Sequence, residues 1–177
     1  GTSGPVQGTA SVVAADANDG AGIQYQTGAV SGNDGGFHAS FIYRVGRNVD
    51  VRWRVSHEET ADIRFWFALT DQVNTTMSAS DNPAGNYAGF TYCNDAGANC
   101  AAAGGSGADD TNWWFCTKDN TTIGCTDTGV AADTSSHVFR IADEGGTWRG
   151  CVDATCVTRT TNLPSTVNLR LAWIIET

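Results

Sequence analysis

The sequence predicts an all-β protein, a two-sheet antiparallel sandwich, and three observations favour this fold class. The 177 residues include 21 glycines and one methionine, and 16% of them are charged, against about 25% in ordinary soluble domains. Asp outnumbers Glu fifteen to four, and Asp favours turns whereas Glu favours helix interiors. Apolar and polar residues alternate in short stretches separated by turn residues, which is typical of strands with one buried face.

The chain is expected to form one domain preceded by an arm. Residues 1–36 are rich in Gly, Ala, Asp and Asn, so we predict an extended N-terminal arm with one edge strand. The regular pattern begins at Phe37, and residues 37–177 are assigned to the sandwich. The arm is too poor in apolar residues to form a core, while the edges of a sandwich need covering. We therefore expect the arm to be an assembly contact and the chain to be a homo-oligomer.

The strands are predicted from alternation with a period of two. Residues 37–45 and 49–56 give the first two strands, joined by a short hairpin loop at 46–48. Residues 63–69 give the third, in which Trp66 points away from Phe65 and Phe67. Further strands are expected at 87–93, 112–118, 137–142, 147–152, 156–160 and 167–175. The large rings predicted to form the core include Phe41, Trp53, Phe65, Phe67, Phe139 and Trp173.

The six cysteines fall into three close pairs, Cys93 with Cys100, Cys116 with Cys125, and Cys151 with Cys156. A turn at Asp153-Ala154 places Cys151 opposite Cys156, and a turn at Asn120-Thr121 does the same for Cys116 and Cys125. Both pairs then occupy the narrow, non-hydrogen-bonded sites of a hairpin, where Cα separations suit a disulfide. The alternative is a metal site or free thiols, although the spacing does not match zinc knuckles. Disulfides imply an oxidising, extracellular environment.

Charge and hydropathy exclude two classes of partner. The net charge is −9, with a single lysine, Lys118, so no basic stripe exists to bind a phosphate backbone and we expect no nucleic-acid partner. No apolar run approaches the roughly 18 residues that a membrane helix needs, so no membrane partner is expected.

A family resemblance extends over most of the chain. Its elements are VDVRWRVS at 49–56, DIRFWFALTDQ at 62–72, NYAGFTY at 86–92, the run into SSHVFRI, and the hairpin after Trp148. In this order they resemble the concanavalin-A-like jelly-roll domains of tailed-bacteriophage structural proteins, such as head fibres, decoration proteins and tail-associated proteins. The chain departs from the family's F-x-I-D-G turn, since Gly150 precedes Cys151 and the turn carries Asp153-Ala154. The resemblance implies a concanavalin-A-like jelly roll.

No catalytic or metal constellation is predicted, and the chain is expected not to be an enzyme. Glycosidases need two facing carboxylates, but the adjacent Glu58 and Glu59 would point to opposite faces of a strand and no E-x-D-x-x-E pattern occurs. His38, His57 and His137 stand alone. The Asp-rich stretches at 16–20 and 31–36 offer oxygen ligands to calcium, although turn chemistry explains them equally well.

Three tryptophans are the candidate surface aromatics, Trp66, Trp113 and Trp114. They are interpreted either as packing or oligomer contacts or as a platform for carbohydrate. The resemblance implies a non-enzymatic virion structural protein that contacts a shell or tail protein and lies on the virion surface or outside the cell. The alternative is a secreted carbohydrate-binding module, and these two hypotheses differ in whether a polysaccharide retains the protein.

Overall fold

The computed structural model describes residues 11–14, 23–26, 34–38, 42–58, 60–72, 82–94, 111–165 and 168–176. These residues form thirteen strands, and in this part of the chain no helix is long and apolar enough to span a membrane. The strands are β1 (Ser11–Ala14), β2 (Ile23–Gln26), β3 (Asp34–His38), β4 (Tyr43–Arg44), β5 (Asp50–Val55), β6 (Ile63–Thr70), β7 (Gly85–Asn94), β8 (Asn112–Asn120), β9 (Ile123–Ala131), β10 (His137–Asp143), β11 (Trp148–Val152), β12 (Thr155–Arg159) and β13 (Asn168–Glu176). The predicted all-β class is confirmed.

The strands build two large antiparallel sheets and one small one. The four-stranded sheet has the order β12-β11-β10-β5. The seven-stranded sheet has the order β3-β13-β6-β7-β8-β9, with β4 also paired to β13. β1 and β2 pair only with each other in the described residues. The predicted two-sheet antiparallel sandwich is therefore confirmed.

The core lies between the two large sheets and consists mainly of aromatic rings. Phe139 on β10 contacts rings on three strands of the opposite sheet, with centroid distances of 5.3 Å to Phe67, 5.1 Å to Phe90 and 4.9 Å to Trp113. Phe65, Phe67 and Phe139 are fully buried and Trp173 is 8% exposed. Trp53 is partly buried against the same cluster. Phe41 lies outside the described residues, but the other predicted core rings are in place.

Gly150 lies at a point of close packing between β11 and β8. Gly150 lies on the inner face of β11, where an added Cβ would come within 2.3 Å of the ring of Phe115. Side chains do not approach so closely, so a larger residue would displace the ring. The absence of a side chain at Gly150 thus lets Phe115 fill the core between β8 and β11.

Two of the three predicted disulfides are present. Cys116 is directly opposite Cys125 across β8 and β9, and Cys151 is opposite Cys156 across β11 and β12. The chain turns at Asp153-Ala154, as predicted. Cys100 lies outside the described residues, so its pairing with Cys93 stays a prediction. The two disulfides fit an extracellular or secreted protein.

The hairpin predicted at residues 46–48 was wrong. Gly46 and Asn48 do adopt positive φ values of 80° and 53°, as a tight turn requires. However, β4 pairs with β13 in the seven-stranded sheet, whereas β5 pairs with β10 in the four-stranded sheet. The turn therefore carries the chain from one sheet to the other, because alternation reports a buried face but not the strand that lies beside it.

The predicted boundary between arm and sandwich falls within β3, which begins at Asp34 and pairs with β13 along its whole length. Much of residues 1–33 lies outside the described residues. The role of the arm as an assembly contact, and the homo-oligomer that follows from it, stay predictions.

Candidate functional site

The candidate site lies on the face of the seven-stranded sheet that points away from the four-stranded sheet, which we call the outer face. Successive strand residues project to opposite sides, so the strands that fill the core also present a second row of side chains. One row crosses four strands in register, with Trp66 on β6, Thr91 on β7, Trp114 on β8 and Asp127 on β9. Trp66 and Tyr87 belong to a hydrophobic cluster separate from the core.

The three predicted surface tryptophans have different environments. Trp113 faces inward, is fully buried, and packs edge-on against Phe65 at 5.3 Å. It is therefore a core residue, and its prediction as a surface aromatic was wrong. Trp66 is on the outer face but is only 1% exposed and packs edge-on against Tyr87 at 5.3 Å. Of these three residues, Trp114 alone is half-buried, which leaves part of its ring available to a ligand.

A break in strand pairing brings two polar side chains beside Trp114. The register between β8 and β9 shifts between Asn112, which faces Ala131, and Trp114, which faces Asp127. β9 therefore holds extra residues there, and the Thr128 hydroxyl donates to the Trp113 carbonyl at 2.7 Å. Such bulges commonly re-aim side chains at binding sites. The result is an indole flanked by an amide and a carboxylate.

The polar pair beside Trp114 is held by hydrogen bonds. The Asn112 side-chain amide donates to Asp127 Oδ2 at 3.1 Å, and the Gly129 backbone N–H donates to Asp127 Oδ1 at 2.7 Å. Gly129 has a φ of 70°, a left-handed conformation that suits glycine. Asp127 is exposed, so its remaining lone pairs face solvent. A fixed amide and carboxylate can donate to and accept from neighbouring hydroxyls of one ligand.

A buried lysine lies on the outer face. Lys118 is 5% exposed, and its ammonium group donates to Asn82 Oδ1 and to the Pro83 carbonyl, both at 2.7 Å. Burial lowers the pKa of Lys118 and raises the pKa of Tyr87, whose ring centroid lies 6.0 Å from the ammonium nitrogen. The Tyr87 and Thr91 hydroxyls find no hydrogen-bond partner among the described residues.

Two of the three histidines have side chains in the described part of the chain, and both are buried. His137, at the start of β10, contacts Asp153 through Nδ1 at 2.8 Å and Asp133 through Nε2 at 3.2 Å. His57 is buried beside the rings of Phe65 and Trp113. Most of the Asp-rich stretches at 16–20 and 31–36 lies outside the described residues, so calcium there stays a prediction.

Asn112 and Asp127 were missed from the sequence because β9, the return strand of the predicted hairpin, was not followed beyond Cys125. Its run, IGCTDTGVA, has little apolar alternation, since β9 is an edge strand and its buried residues include Thr128 rather than a large apolar side chain. The available signal was the disulfide spacing itself. A hairpin stapled at Cys116 and Cys125 requires a return strand, and Asp127 is two residues beyond its cysteine on the same face.

Comparison with known proteins places the fold in a class. No family model matches the sequence, and no curated protein matches it either. Among solved structures, a Bacillus subtilis protein of unknown function with a galectin-like fold superposes with a TM-score of 0.58, at 9% identity, covering 95% of this chain and 82% of that one. The class is therefore the jelly-roll sandwich that lectin-like and glucanase-like proteins share.

Two further neighbours are hydrolases. A glycosidic hydrolase superposes with a TM-score of 0.54 at 13% identity, covering 94% of this chain and 63% of that one. A β-1,3-1,4-glucanase (lichenase) from a mouse hindgut metagenome has a TM-score of 0.53 at 10% identity, covering 93% and 64%. The chain thus spans less than two thirds of each hydrolase. The concanavalin-A-like jelly roll predicted from the sequence is confirmed.

These neighbours correct one prediction and limit another. The conclusion that the chain is not an enzyme was wrong, because glycoside hydrolases share its fold and the lack of an E-x-D-x-x-E pattern does not exclude hydrolysis on this scaffold. Nothing in the comparisons points to a phage protein.

Proposed function

We propose that the chain is an extracellular carbohydrate-binding protein whose site comprises Trp114, Asn112 and Asp127. The observation that carries the proposal is the half-buried Trp114 ring beside the hydrogen-bonded Asn112–Asp127 pair. An aromatic face packs against the apolar face of a sugar ring, while the amide and carboxylate bind adjacent hydroxyls. The glycosidic hydrolase and the β-1,3-1,4-glucanase that share this sandwich have carbohydrate substrates by name, which favours a glycan ligand.

The neighbouring residues of the outer face support this site from the side. Trp66 and Tyr87 are buried and pack on each other, and Trp114 packs against the cluster that they form. The Cys116–Cys125 disulfide joins β8 to β9 two residues from Trp114 and Asp127. The two strands that carry the site are thereby held in one register, which reduces the ordering cost when a ligand binds.

The test is titration calorimetry of the purified chain with soluble neutral oligosaccharides, beginning with β-1,3-1,4-glucan fragments. Trp114→Ala is expected to weaken binding at least about tenfold, equivalent to about 1.4 kcal/mol, and Asp127→Asn by a similar factor. Trp114→Phe keeps an aromatic face and should retain part of the affinity. Trp53→Phe alters a half-buried tryptophan of the other sheet and serves as the matched control. Unchanged affinity in Trp114→Ala would disprove the site.

A second candidate function is cleavage or transfer of glycosidic bonds, favoured by the two hydrolase neighbours. Such chemistry needs a second carboxyl group across the substrate from the first, and Asp127 is the carboxylate at the proposed site. The same glucan incubations, followed by measurement of new reducing ends, test this function. A rise in reducing ends that Asp127→Asn abolishes identifies a hydrolase, whereas binding without new ends identifies a binding module. The placement on a virion surface stays a prediction from the sequence.

A further inference from the structure

The face of the four-stranded sheet that points away from the seven-stranded sheet carries a cluster of arginines, and we call it the arginine face. It consists of Arg52 and Arg54 on β5, Arg140 on β10 and Arg149 on β11. Their strand neighbours Trp53, Phe139 and Trp148 point into the core, so alternation directs the arginines outward. Arg52 and Arg140 are directly opposed across β5 and β10. The chain has only ten basic residues and a net charge of −9, so four arginines on one small sheet are a marked local concentration.

Two carboxylates hold Arg140 and Arg149 in place. Arg140 donates to Asp50 through Nε at 3.0 Å and through Nη2 at 2.8 Å, a bidentate pair that lowers the pKa of Asp50. Glu144 contacts Arg149 at 3.1 Å and Arg140 at 3.8 Å. These contacts orient the two guanidinium groups, while the side chains of Arg140 and Arg149 remain 24% and 40% exposed.

Most N–H donors of Arg52 and Arg54 have no acceptor among the described residues. The Arg52 side chain is 64% exposed, and among the described residues it makes a single contact of 3.4 Å, from Nε to Asp50 Oδ1. A guanidinium has five N–H donors, so most of those on Arg52 find no acceptor in the described part of the chain. Arg54 is exposed and makes no hydrogen bond to a described residue. Its charge contributes to the lowered pKa of Asp153. Four guanidiniums therefore meet three carboxylates, and two of the guanidiniums face solvent.

The arginine face fits an acidic polysaccharide better than a protein. Guanidinium groups bind carboxylate or sulfate oxygens in pairs. The apolar side chains that β10 contributes to this face are Val138 and Ala142, and no aromatic residue of the four strands points outward with them. A protein partner would thus lack the buried aromatic centre that most interfaces require. A flexible chain bearing repeated charges needs no such centre. Weak exposed ion pairs such as Arg52–Asp50 exchange partners at little cost.

We propose that the arginine face is a second binding surface, which takes an anionic polysaccharide bearing carboxylate or sulfate groups. It lies on the opposite sheet from Trp114, so the two sites are separate and can act on different parts of one polymer. When two sites of modest affinity bind the same polysaccharide molecule, the overall affinity exceeds that of either site alone. Because the attraction is electrostatic, binding is expected to weaken as salt is raised.

Affinity electrophoresis of the whole protein tests this surface, in gels that contain polygalacturonate, a sulfated polysaccharide or a neutral glucan. Retardation by one or both anionic polymers is expected, and the pattern distinguishes carboxylate from sulfate. Arg52→Ala/Arg54→Ala should weaken retardation at least about tenfold, with Arg52→Lys/Arg54→Lys retaining part of it because charge remains while the paired geometry is lost. Arg170→Ala removes one exposed arginine of the other sheet and should change retardation little.

Several outcomes overturn the proposal. No retardation of the wild type by either anionic polymer disproves it, as does an effect of Arg170→Ala as large as that of the double variant. Equal binding to DNA shows attraction to any polyanion, and binding only to an acidic protein assigns the surface to protein contacts. Trp114→Ala should leave retardation by the anionic polymers intact, so failure of the neutral-glycan site is distinguishable from failure of this one.

Discussion

At the scale of single residues, Phe139 joins the two sheets directly. Its ring meets Phe67, Phe90 and Trp113, which lie on three adjacent strands of the opposite sheet, and it is fully buried. Removing such a ring loses its transfer free energy and leaves a cavity between sheets that cannot close together. One side chain thus contributes a large part of the contact on which the sandwich depends.

We expect Phe139→Ala to lower the free energy of unfolding by about 3–5 kcal/mol, measured by urea denaturation with the disulfides intact. Phe139→Leu should cost less, since it keeps most of the apolar volume. The matched control is Ile42→Ala, because Ile42 is 58% exposed and its loss removes little buried surface. Equal stability of Phe139→Ala and the wild type would show that this ring is not part of the core.

At the scale of elements, the two disulfides stabilise hairpins of different character. Cys116 is fully buried on the outer face between the strands of the proposed glycan site, whereas Cys156 is exposed at the edge of the four-stranded sheet. The hairpin of Cys151 and Cys156 also has a tight turn in which Asp153 adopts a φ of 54° and accepts a hydrogen bond from the Val138 backbone N–H. We expect that turn to preserve the register without the disulfide.

We therefore expect the two disulfides to differ when each is replaced by a pair of alanines. Closing such short loops is worth only about 2 kcal/mol in chain entropy, which sets the cost of Cys151→Ala/Cys156→Ala. Cys116→Ala/Cys125→Ala should cost more, because it also leaves a cavity in a buried position, and it should weaken glucan binding. Urea denaturation and calorimetry provide the two measurements. A larger loss from the exposed pair would contradict this ranking.

The elements also show what the sequence could and could not predict. Alternation located β5, β6 and β10 because each packs one apolar face on the core, and the cysteine spacing located two hairpins. Alternation could not show that β4 and β5 belong to different sheets, since strand partners are set by contacts distant in sequence. Trp66 was correctly placed opposite the core, but alternation left open which of Trp113 and Trp114 faces inward, and the burial of Trp66 depends on neighbouring strands. Asn112 and Asp127 became a pair only through the irregular pairing of β8 and β9.

At the scale of the whole molecule, the acidic residues have opposing effects on stability. The net charge of −9 produces self-repulsion near neutral pH, which weakens as the pH approaches the isoelectric point of about 4.5. Several carboxylates act in the other direction. Hydrogen bonds from Arg140 hold the pKa of Asp50 below its ordinary value of 3.8, and the Val138 backbone N–H and His137 do the same for Asp153.

The sign of the acid effect follows from these lowered pKa values. A carboxylate whose pKa is lower in the folded state stabilises the fold at every pH above its unfolded value, and the contribution disappears as the pH falls through the folded value. We therefore expect the free energy of unfolding to be greatest at about pH 5, where repulsion is reduced and these carboxylates are still ionised, and to fall steeply below about pH 4. Urea denaturation across this range measures both limbs.

Added salt and the Asp153→Asn substitution separate the effect of charge repulsion from that of the lowered carboxylate pKa values. Added salt should raise stability at neutral pH by screening repulsion between exposed charges, yet it should not remove the loss below about pH 4, since the hydrogen bonds to Asp50 and Asp153 are short-range. Asp153→Asn keeps an acceptor for the Val138 N–H but loses the charge beside His137, so its acid limb should be shallower than that of the wild type. Asp127→Asn, which changes an exposed carboxylate on the other sheet, is the matched control. An acid limb that is the same in Asp153→Asn and the wild type would show that the carboxylates around His137 do not set the acid stability of the fold.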